Sequence, residues 1–600
     1  MNSFMGVGTI IDISDYGAIA NSGNDASQAF RQAIAAAKQA QKPVVLNIPY
    51  GVYDFQSTSA EKLPYYITNT TPQTDTPDAL RTIGLLFKDM DNITIQGNGS
   101  TLMFHGLMTP IAFDHVTDVH LHHLKIDFNR PVMSEITITA TGINYLEASV
   151  HPDSWYTVNE GRLTWIGENG WSHSQISAGL AQQYDPISKR TWRSWNPVSN
   201  ASSVEDLGSR TIRLNYDGSP DQGAQIGQVY QIRNTVRYEQ GAFVYRSNNI
   251  RWTDVDFYAA PGLGIVSQYC ENLEFLRLNF RPREGSGRTN ASMADFMHFS
   301  GCKGDIQIVD SNFFGAHDDP INVHGTHLRI IEKPAANQIK VRFMHPESWG
   351  FDAFLVDDRI DFIQGSTLLP YGSATITGVS RIDETDIILT LDTEAPASIE
   401  FNHDVVENIT WTAHVTITGN TFESVPTRGV LVSTRGKVRI EKNTFNKMHM
   451  SAILIADDAE SWYESGMVTD VSIKNNLFIE NGAPVIYIAP ENKQYAGPVH
   501  RNITIEGNKF QMLDNTLLQV KDTQGLQFLN NEIIRVNPSS RPNDQHVMSL
   551  TQSQDIVIQG NTFKGEGVNL TIQLLQMSTD MITVAPEQQC YVIQKNEVMN

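Results

Sequence analysis

The sequence predicts a right-handed parallel β-helix, a solenoid whose successive turns stack strand upon strand. Two observations carry this prediction: a short motif that returns at a nearly regular interval, and a second apolar segment within each turn. The motif is aliphatic-x-aliphatic-x-x-Asn-x-Phe, with Ile in place of Phe in one copy. Its six copies are VTITGNTF (415–422), VRIEKNTF (438–445), VSIKNNLF (471–478), ITIEGNKF (503–510), LQFLNNEI (526–533) and IVIQGNTF (556–563).

The spacing of the copies indicates one solenoid turn. The motif asparagines stand at positions 420, 443, 476, 508, 531 and 561, so they recur after 23, 33, 32, 23 and 30 residues. A base period near 23 with occasional loop insertions is typical of a repeat fold. Three upstream segments keep the apolar spacing without the asparagine: VHLHHLKI (119–126), IRWTDVDF (250–257) and LEFLRLNF (273–280).

Each copy predicts a strand followed by a corner. Alternating aliphatic residues indicate a short strand with one buried face. The asparagine after them suits a tight, often left-handed corner. Stacked copies would align the asparagines into a hydrogen-bonded ladder and the phenylalanines inside the coil. The second strand of a turn is indicated by GLGIVS (262–267), ADFMHFS (294–300), RGVLVS (428–433) and SAILIA (451–456).

The segment NDASQAFRQAIAAAKQA (24–40) predicts an N-terminal capping helix. Its apolar residues at helical spacing share one face, and Asp25 is the expected N-cap. Such a helix would cover the open end of the solenoid core, as repeat folds require. The apolar face consists of Phe30, Ala33, Ile34 and Ala37.

Two segments lose the repeat and predict inserted antiparallel β-barrels or sandwiches. The second contains alternating strands such as QIKVRF (338–343) and DIILTL (386–391). Excursions this long are seldom structureless in a compact protein. We therefore expect a cap with the first β-helix turns (1–131), an inserted β-barrel-like domain (132–237), β-helix turns carrying the active site (238–327), a second inserted β-barrel-like domain (328–410), and C-terminal β-helix turns (411–600).

Composition excludes several classes of function. The net charge of −22 argues against nucleic acid as a partner and disfavours a polyanionic substrate. Three cysteines form no disulfide framework or zinc spacing, and no apolar run is long enough to span a membrane. The start MNSFMGVGTIIDIS lacks a basic region and a long apolar region, so we expect no secretion signal in this chain. Localisation stays open between the cytoplasm and secretion with a signal already removed.

The stretch GAHDDPINVHGTH (315–327) holds the candidate chemical centre. Asp295 lies 24 residues before Asp319, one solenoid turn, and aligning Phe299 with Val323 puts Asp295 directly beneath Asp319, about 4.8 Å away. The same register places Arg428 next in the column. With Asp318, three carboxylates then share one patch. Crowding raises the pKa of at least one of them, and one protonated acid facing an ionised base is what glycoside hydrolysis needs.

Other interpretations of these residues stay open. HDDP could be a polar turn before proline, with Asp318 accepting a backbone hydrogen bond. His317, His324 and His327 with an aspartate offer ligand types for zinc, and the carboxylates could hold calcium. We favour catalysis over the turn, because Asp295 stands one turn from the aspartate pair. We also favour it over zinc, because His324 and His327, three residues apart at the end of a strand, should point to different sides, and we expect no cofactor.

The run ADFMHFSGCKGDIQIVDSNFFGAHDDPINVHGTHLRI (294–330) resembles the bacterial α-1,3-galactosidases of glycoside hydrolase family 110. Segments from about 84 to 482, among them RGVLVSTRGKVRIEKNTF (428–445), extend the resemblance. It implies a β-helix with barrel insertions, and metal-independent, inverting hydrolysis of terminal α-1,3-linked galactose. Asp295 would be the general acid, and Asp318 and Asp319 would hold and deprotonate water. Pro320 departs from the family, where a small residue is more usual, and should stiffen the strand entry.

Candidate substrate-binding residues follow from sugar chemistry. Pyranose C–H faces pack on aromatic rings, and hydroxyl groups bind charged or imidazole side chains. Each single tryptophan could equally be a packing residue. The candidates are His317, His324, Arg428, Trp349, Trp462 and Glu464.

Three rival functions remain at this point. A polygalacturonase-like hydrolase shares the aspartate spacing but requires a basic cluster for uronates, a lyase requires calcium, and a non-catalytic carbohydrate-binding β-helix leaves Asp295 unexplained. We expect a galactose-terminated oligosaccharide or glycan as the partner, no nucleic acid and no membrane, and a possible homodimer. The aglycone, whether branched blood-group-B type, linear Galα1-3Gal or algal galactan, is not encoded in these patterns.

Overall fold

The computed structural model describes residues 8–174, 180–220, 223–513, 516–536, 547–565, 570–586 and 590–595. The chain forms a parallel β-helix with three faces, so the predicted fold class is confirmed. Of the helices within these residues, none is long and apolar enough to cross a membrane.

Face 1 and face 2 carry the motif strands in parallel register. Face 1 comprises Thr9–Asp12, Val44–Asn47, Asp91–His105, Thr117–Phe128, Asn248–Phe257, Glu271–Leu276, Lys303–Val309, Ala413–Thr418, Lys437–Glu441, Asp470–Lys474, His500–Glu506, Thr523–Leu529, Ile556–Gln559 and Ile582–Val584. Its three longest strands continue into face 2, which adds Val52–Gln56, Asn279–Phe280, Asn312–Phe314, Thr421–Glu423, Thr444–Asn446, Leu477–Ile479, Lys509–Met512, Glu532–Arg535 and Thr562–Lys564.

Face 3 carries the second strand of each turn, as the sequence predicts. It comprises Leu80–Lys88, Thr109–Asp114, Ala242–Tyr245, Ile265–Gln268, Met297–Ser300, Ile321–Ala335, Val430–Val432, Ile453–Ile455, Ile486–Ile488, Leu518–Lys521, Met548–Thr551, Leu570–Leu575 and Cys590–Lys595. Two short strands pair with it in antiparallel fashion: Glu61–Pro64 and Glu464–Ser465.

The motif residues build the predicted ladder and stack. Each motif asparagine from Asn420 to Asn531 donates its Nδ2 to Oδ1 of the next one at 3.0 Å. The phenylalanines stack face to face from Phe280 to Phe510, with interplanar angles of 13° or less. These buried rows tie consecutive turns together on the side of the coil away from face 3.

The left-handed corner falls one residue earlier than expected. The residues preceding the motif asparagines have φ between 53° and 72°, whereas the asparagines themselves do not. Because each asparagine side chain must enter the buried ladder, the strained backbone is left to its neighbour, which is glycine, asparagine or lysine. These neighbours are Gly419, Lys442, Asn475, Gly507, Asn530 and Gly560.

The N-terminal helix spans Ser27–Gln39 and buries the predicted apolar face of Phe30, Ala33, Ile34 and Ala37 against the first turns. Its N-cap is Ala26, so the assignment of the cap to Asp25 was wrong by one residue. Asp25 nevertheless accepts a hydrogen bond from the Ser27 backbone N–H at 3.0 Å. The Asp25 carboxylate therefore caps the first turn of the helix from the position before the N-cap residue. The 3-10 helices are Ile13–Tyr16, Ser57–Ser59 and Thr579–Met581.

The first insertion is a two-sheet sandwich rather than a closed barrel in the part that the structure describes. A seven-stranded antiparallel sheet and a three-stranded sheet share one apolar core that includes Trp165 and Ile138. The larger sheet contains Ser134–Thr141, Tyr145–Val150, Leu180–Asp185, Arg190–Ser194, Ser203–Gly208, Thr211–Asn215 and Val229–Arg233; the smaller contains Trp155–Asn159, Arg162–Ile166 and Ser172–Ser174.

The second insertion closes into a six-stranded antiparallel barrel. Its first strand is the continuation of Ile321–Ala335 beyond face 3, and the last strand pairs back with it. The site strand and the barrel are therefore one continuous element. The other strands are Gln338–Arg342, Arg359–Gln364, Leu369–Arg381, Asp386–Leu391 and Val405–Asn408. The domain boundaries given above stay predictions.

Candidate active site

The predicted column forms at the entry to three neighbouring strands of face 3. Met297 pairs with Ile321, which pairs with Val430, so Asp295, Asp319 and Arg428 each stand two residues before paired positions. The apolar residues of these strands point into the core and fix the register, because a slip by one residue would turn them outward. The column is thus a consequence of the solenoid period.

Asp295 is the residue predicted to act as the acid. Its side chain is buried, and burial, followed by the facing Asp318, raises its pKa well above the ordinary range. Arg237 and Arg428 act in the opposite direction without cancelling the rise. A raised pKa favours the protonated form, so this carboxyl group keeps its proton to a higher pH than an ordinary aspartate does.

Asp319 is held on both oxygens by Arg428. The Arg428 backbone N–H donates to Oδ1 at 3.1 Å and its Nε donates to Oδ2 at 3.0 Å. Burial raises the pKa of Asp319 to about 7, and Arg428 opposes that rise. In return, although desolvation acts to lower the pKa of Arg428, the carboxylates of Asp319 and Asp318 outweigh it and hold that pKa above its usual value.

Asp318 is held by a residue of the first insertion. Arg193, in the strand Arg190–Ser194, donates from Nη2 to Oδ2 of Asp318 at 2.9 Å. The other carboxylate oxygen, Oδ1, has no hydrogen bond to any residue that the structure describes. Asp318 therefore combines a paired charge with one open acceptor oxygen.

These groups line one cavity of about 220 Å³. Face 3 contributes Asn322, Leu431 and Leu454 to it. The rest of the lining comes from the loop at Asn69, from Arg237 at the end of the first insertion, and from loops of the solenoid. The lining residues are Asn69, Arg237, Leu263, Asp295, Asp318, Asp319, Asn322, Arg428, Leu431, Leu454, Ala456, Asp458, Ser461, Trp462, Glu464 and Glu491. The structure thus brings together six of the nine predicted site residues.

Glu464 lines the same cavity and is held by two amide side chains. Its Oε1 accepts from Nδ2 of Asn69 at 2.8 Å and from Nδ2 of Asn322 at 3.3 Å. Burial acts to raise the pKa of Glu464, but the facing His324 and His298 and the two amides outweigh it, so that pKa is lowered. An ionised carboxylate here is a hydrogen-bond acceptor for hydroxyl groups.

Trp462 forms an aromatic rim. It is 41% exposed, and its ring stacks on His345 at 4.2 Å between centroids. Asp458 fixes the loop by accepting backbone N–H groups, including that of Tyr463 at 3.0 Å. A rigid, half-open ring beside polar groups suits the C–H face of a sugar.

Three predicted binding residues do not reach the cavity. Trp349 packs in the barrel core and donates its Nε1 to the Thr71 carbonyl at 2.9 Å, behind the loop that carries Asn69. His317 is buried outside the lining, and desolvation holds its pKa well below the usual value. His324 is buried behind Glu464.

His298 is a site residue that the sequence reasoning missed. It lies in ADFMHFS, the segment used to place Asp295, and its Nδ1 is 2.9 Å from Oδ2 of Asp295. In that strand Met297 and Phe299 enter the core, so alternation alone points His298 outward toward the site. The residues missed from loops, Asn69 and Arg237, carry no such signal.

Among the described residues, His317, His324 and His327, the ligands of the zinc alternative, are not gathered around one point. Among the residues described, three candidate ligand atoms come within 4.8 Å of one another in a different trio, His298, His324 and Glu464. Oxygen ligands for calcium would have to come from Asp318 and Asp319, whose charges are already paired with Arg193 and Arg428. The geometry favours proton chemistry at the aspartates.

Comparison with known proteins gives matches along most of the chain. Residues 338–406 match the family described as GLAA-B beta-barrel domain II, and residues 405–579 match the family described as right handed beta helix region. The first corresponds to the six-stranded barrel and the second to the C-terminal turns.

Curated relatives cover nearly the whole sequence. Alpha-1,3-galactosidase A of Bacteroides thetaiotaomicron is 40% identical over 87% of this chain and 91% of its own length. Alpha-1,3-galactosidase A of Akkermansia muciniphila is 40% identical over 80% of each chain. Alpha-1,3-galactosidase B of Bacteroides thetaiotaomicron is 32% identical over 96% of this chain and 95% of its own.

Proposed function

Since the chain belongs to the α-1,3-galactosidase family, glycoside hydrolase family 110, we propose that it is an exo-acting glycoside hydrolase. It removes terminal α-1,3-linked galactose from oligosaccharides or glycans, the linkage for which its relatives are named. The proposed reaction inverts the anomeric carbon and needs no metal. The observation that carries the proposal is the stack of Asp295 on Asp319 and Arg428, with Asp318 beside it in one cavity.

The chemistry divides between the two kinds of carboxyl group. Asp295 gives its proton to the glycosidic oxygen while the bond from that oxygen to C1 breaks. A water attacks C1 from the opposite face and loses its proton to the base, as an inverting hydrolase requires. The products are galactose with inverted configuration and the released alcohol, and Asp295 is left as a carboxylate to be reprotonated from solvent.

Asp318 is the proposed principal base. Both oxygens of Asp319 accept hydrogen bonds from Arg428, whereas only Oδ2 of Asp318 accepts one, from Arg193. Its Oδ1 is left to bind and deprotonate the water. Asp319 then fixes Arg428 and orients the water from the neighbouring turn.

The guanidinium groups support metal independence. Arg428 and Arg193 neutralise Asp319 and Asp318 at the positions where a divalent cation would otherwise bind. The cavity volume, below the roughly 300–1,000 Å³ of drug-sized sites, supports entry by one terminal sugar.

An NMR time course of Galα1-3Gal hydrolysis with EDTA present tests these points together. We expect wild type to release β-galactose first, because inversion converts the α-linkage, and we expect EDTA to leave the rate unchanged. Asp295→Asn should lose about 10²- to 10⁴-fold in kcat, the usual contribution of general acid–base catalysis. Initial α-galactose would overturn inversion, and an unimpaired Asp295→Asn would overturn the assignment of the acid.

A further inference from the structure

A chain of two buried histidines leads from the proposed acid to a backbone carbonyl. Nδ1 of His298 lies 2.9 Å from Oδ2 of Asp295, and Nε2 of His298 lies 2.9 Å from Nε2 of His324. Nδ1 of His324 lies 2.6 Å from the carbonyl oxygen of Gly325. Both rings are almost fully buried.

The Gly325 carbonyl determines which nitrogen of each histidine carries a hydrogen. A carbonyl oxygen only accepts, so Nδ1 of His324 must carry a hydrogen. In a neutral imidazole the other nitrogen is then bare, and Nε2 of His324 accepts from Nε2–H of His298. That leaves Nδ1 of His298 bare, so the hydrogen between it and Asp295 belongs to the carboxyl group.

Both rings are neutral at working pH. Desolvation lowers the pKa of His298 to about 4, and it also lowers the pKa of His324. A neutral ring with a bare nitrogen cannot stabilise a carboxylate at hydrogen-bond distance, but it does stabilise a carboxylic acid.

The charged groups around the chain are those of the site itself. Asp318, Asp319 and Glu464 favour the charged form of His298, and Arg237 disfavours it. Glu464 also approaches His324, with Oε1 3.5 Å from Nε2. Because Asn69 and Asn322 donate to that same oxygen, its charge is already solvated by amides.

We propose that His298 and His324 are positioning residues that hold the catalytic proton on Asp295. In this arrangement Oδ2–H of Asp295 donates to Nδ1 of His298, and Nε2–H of His298 donates to Nε2 of His324. Nδ1–H of His324 then donates to the carbonyl oxygen of Gly325. This inference rests on the proposed function of Asp295. Neither histidine contacts the reacting atoms. When substrate binds, the carboxyl hydrogen turns from His298 to the glycosidic oxygen and is transferred there.

A leaving-group comparison separates this role from a structural one. Galα1-3Gal needs an acid to protonate its poor leaving group, whereas α-galactosyl fluoride does not. His298→Ala should lose about 10- to 100-fold in kcat on the disaccharide and change little on the fluoride. Without the acceptor nitrogen of His298, the pKa of Asp295 should fall. The alkaline limb of the pH–rate profile on the disaccharide should therefore move about one pH unit lower, which corresponds to the free energy of one buried hydrogen bond.

The controls distinguish the possible failures. His500→Ala removes another fully buried histidine from a distant turn and should affect both substrates alike. An equal loss on both substrates with His298→Ala would mean a structural role and would overturn the proposal. If wild type cleaves neither substrate, the proposed function fails rather than this inference. His298→Asn, whose Oδ1 can occupy the place of Nδ1, should recover part of the disaccharide rate.

A neutron structure of the wild-type enzyme tests the proton order without any variant. We expect deuterium on Oδ2 of Asp295, on Nε2 of His298 and on Nδ1 of His324. Deuterium on Nδ1 of His298, or on both nitrogens of His324 beside Glu464, would overturn the proposal.

Discussion

At the scale of single residues, the three aspartates of the site differ in their surroundings. Asp295 lies against the imidazole of His298 and its pKa is raised, whereas Asp318 accepts a hydrogen bond from the guanidinium of Arg193. Burial raises the pKa of Asp319 to about 7, and Arg428 opposes that rise. The chemistry therefore depends on the partners as much as on the aspartates.

Removing Arg428 should move the acidic limb of the activity profile upward. Arg428 is the group that lowers the pKa of Asp319, so Arg428→Met lets that pKa rise further above 7. The ionised form would appear only at higher pH, and the acidic limb of kcat/KM should shift up by about one unit or more. Arg439→Met, which breaks a partly exposed ion pair with Asp470, is the control and should leave the limb in place. An unshifted limb in Arg428→Met would show that Asp319 does not need to ionise.

Asp295→Asn should stabilise the fold more at neutral pH than in acid. The folded-state pKa of Asp295 lies above its unfolded value near 4, so the unfolded chain loses this proton first. Above about pH 4 the wild type therefore loses stability as pH rises toward the folded pKa, by about 1.4 kcal/mol per unit for this group. The variant has no such proton, and its Tm advantage should grow between pH 4 and pH 7 in thermal melts. A constant Tm difference would contradict the raised pKa.

The site residues that could be predicted are those that obey the solenoid period. Asp295, Asp319 and Arg428 were placed by counting one turn, and the strand register agrees. Arg193 and Asn69 come from segments without a period, so nothing in the sequence aligns them with the column. Single aromatic residues are ambiguous for the same reason, and Trp349 lies in the barrel core while Trp462 lies at the cavity.

At the scale of elements, the asparagine ladder is the device that holds successive turns in register. Asn476 donates to the Ile440 carbonyl at 2.8 Å and to Oδ1 of Asn508 at 3.0 Å, and its own Oδ1 accepts from Asn443. All of these groups are buried, so each depends on the ladder for its partner. The ladder could be predicted because its asparagine recurs in every copy of the motif. The residue with left-handed backbone directly precedes that asparagine and differs between copies, so the sequence analysis placed the left-handed corner one position too late.

Asn476→Ala should cost about 3–5 kcal/mol in unfolding free energy. The change removes the Asn476 partner of the Ile440 carbonyl, of the Asn443 backbone N–H and of one hydrogen of Asn443 Nδ2, and each such loss in a buried position costs roughly 1–3 kcal/mol. Asn475→Gly is the matched control, because Asn475 is exposed and left-handed at φ 54°, a conformation that glycine adopts freely. It should change stability by less than about 1 kcal/mol. Equal effects in urea titrations would show that the ladder is not what holds the turns.

At the scale of the whole molecule, both insertions are tied into the active site. The strand Ile321–Ala335 leaves the site and becomes the first strand of the barrel. The first insertion docks a hairpin on the solenoid, where Arg190 pairs with Glu480 at 2.8 Å and Lys447 donates to the Ser188 carbonyl at 2.7 Å. The solenoid supplies the column, and both insertions are anchored beside it.

The assembly state stays a prediction. The first insertion exposes isolated apolar side chains, among them Ile143 at 90% and Ile187 at 92%. Scattered single exposed residues of this kind are normal on the surface of a monomer. Light scattering on the purified chain measures the mass directly, and 67.0 kDa would contradict the dimer.

Arg193→Met should show that the first insertion takes part in catalysis. Arg193 is the group from that insertion that pairs with Asp318, at 2.9 Å, and the docked hairpin three residues earlier fixes its approach. Without it, Asp318 should lose its fixed orientation and the compensation of its charge, so kcat should fall about 10- to 100-fold on Galα1-3Gal. Because the pair is partly exposed, Tm should change little. Arg213→Met, which breaks the pair with Glu147 on the outer part of the same insertion, is the matched control and should keep full activity. Wild-type kinetics in Arg193→Met would make the insertion a wall of the cavity without a part in holding the base.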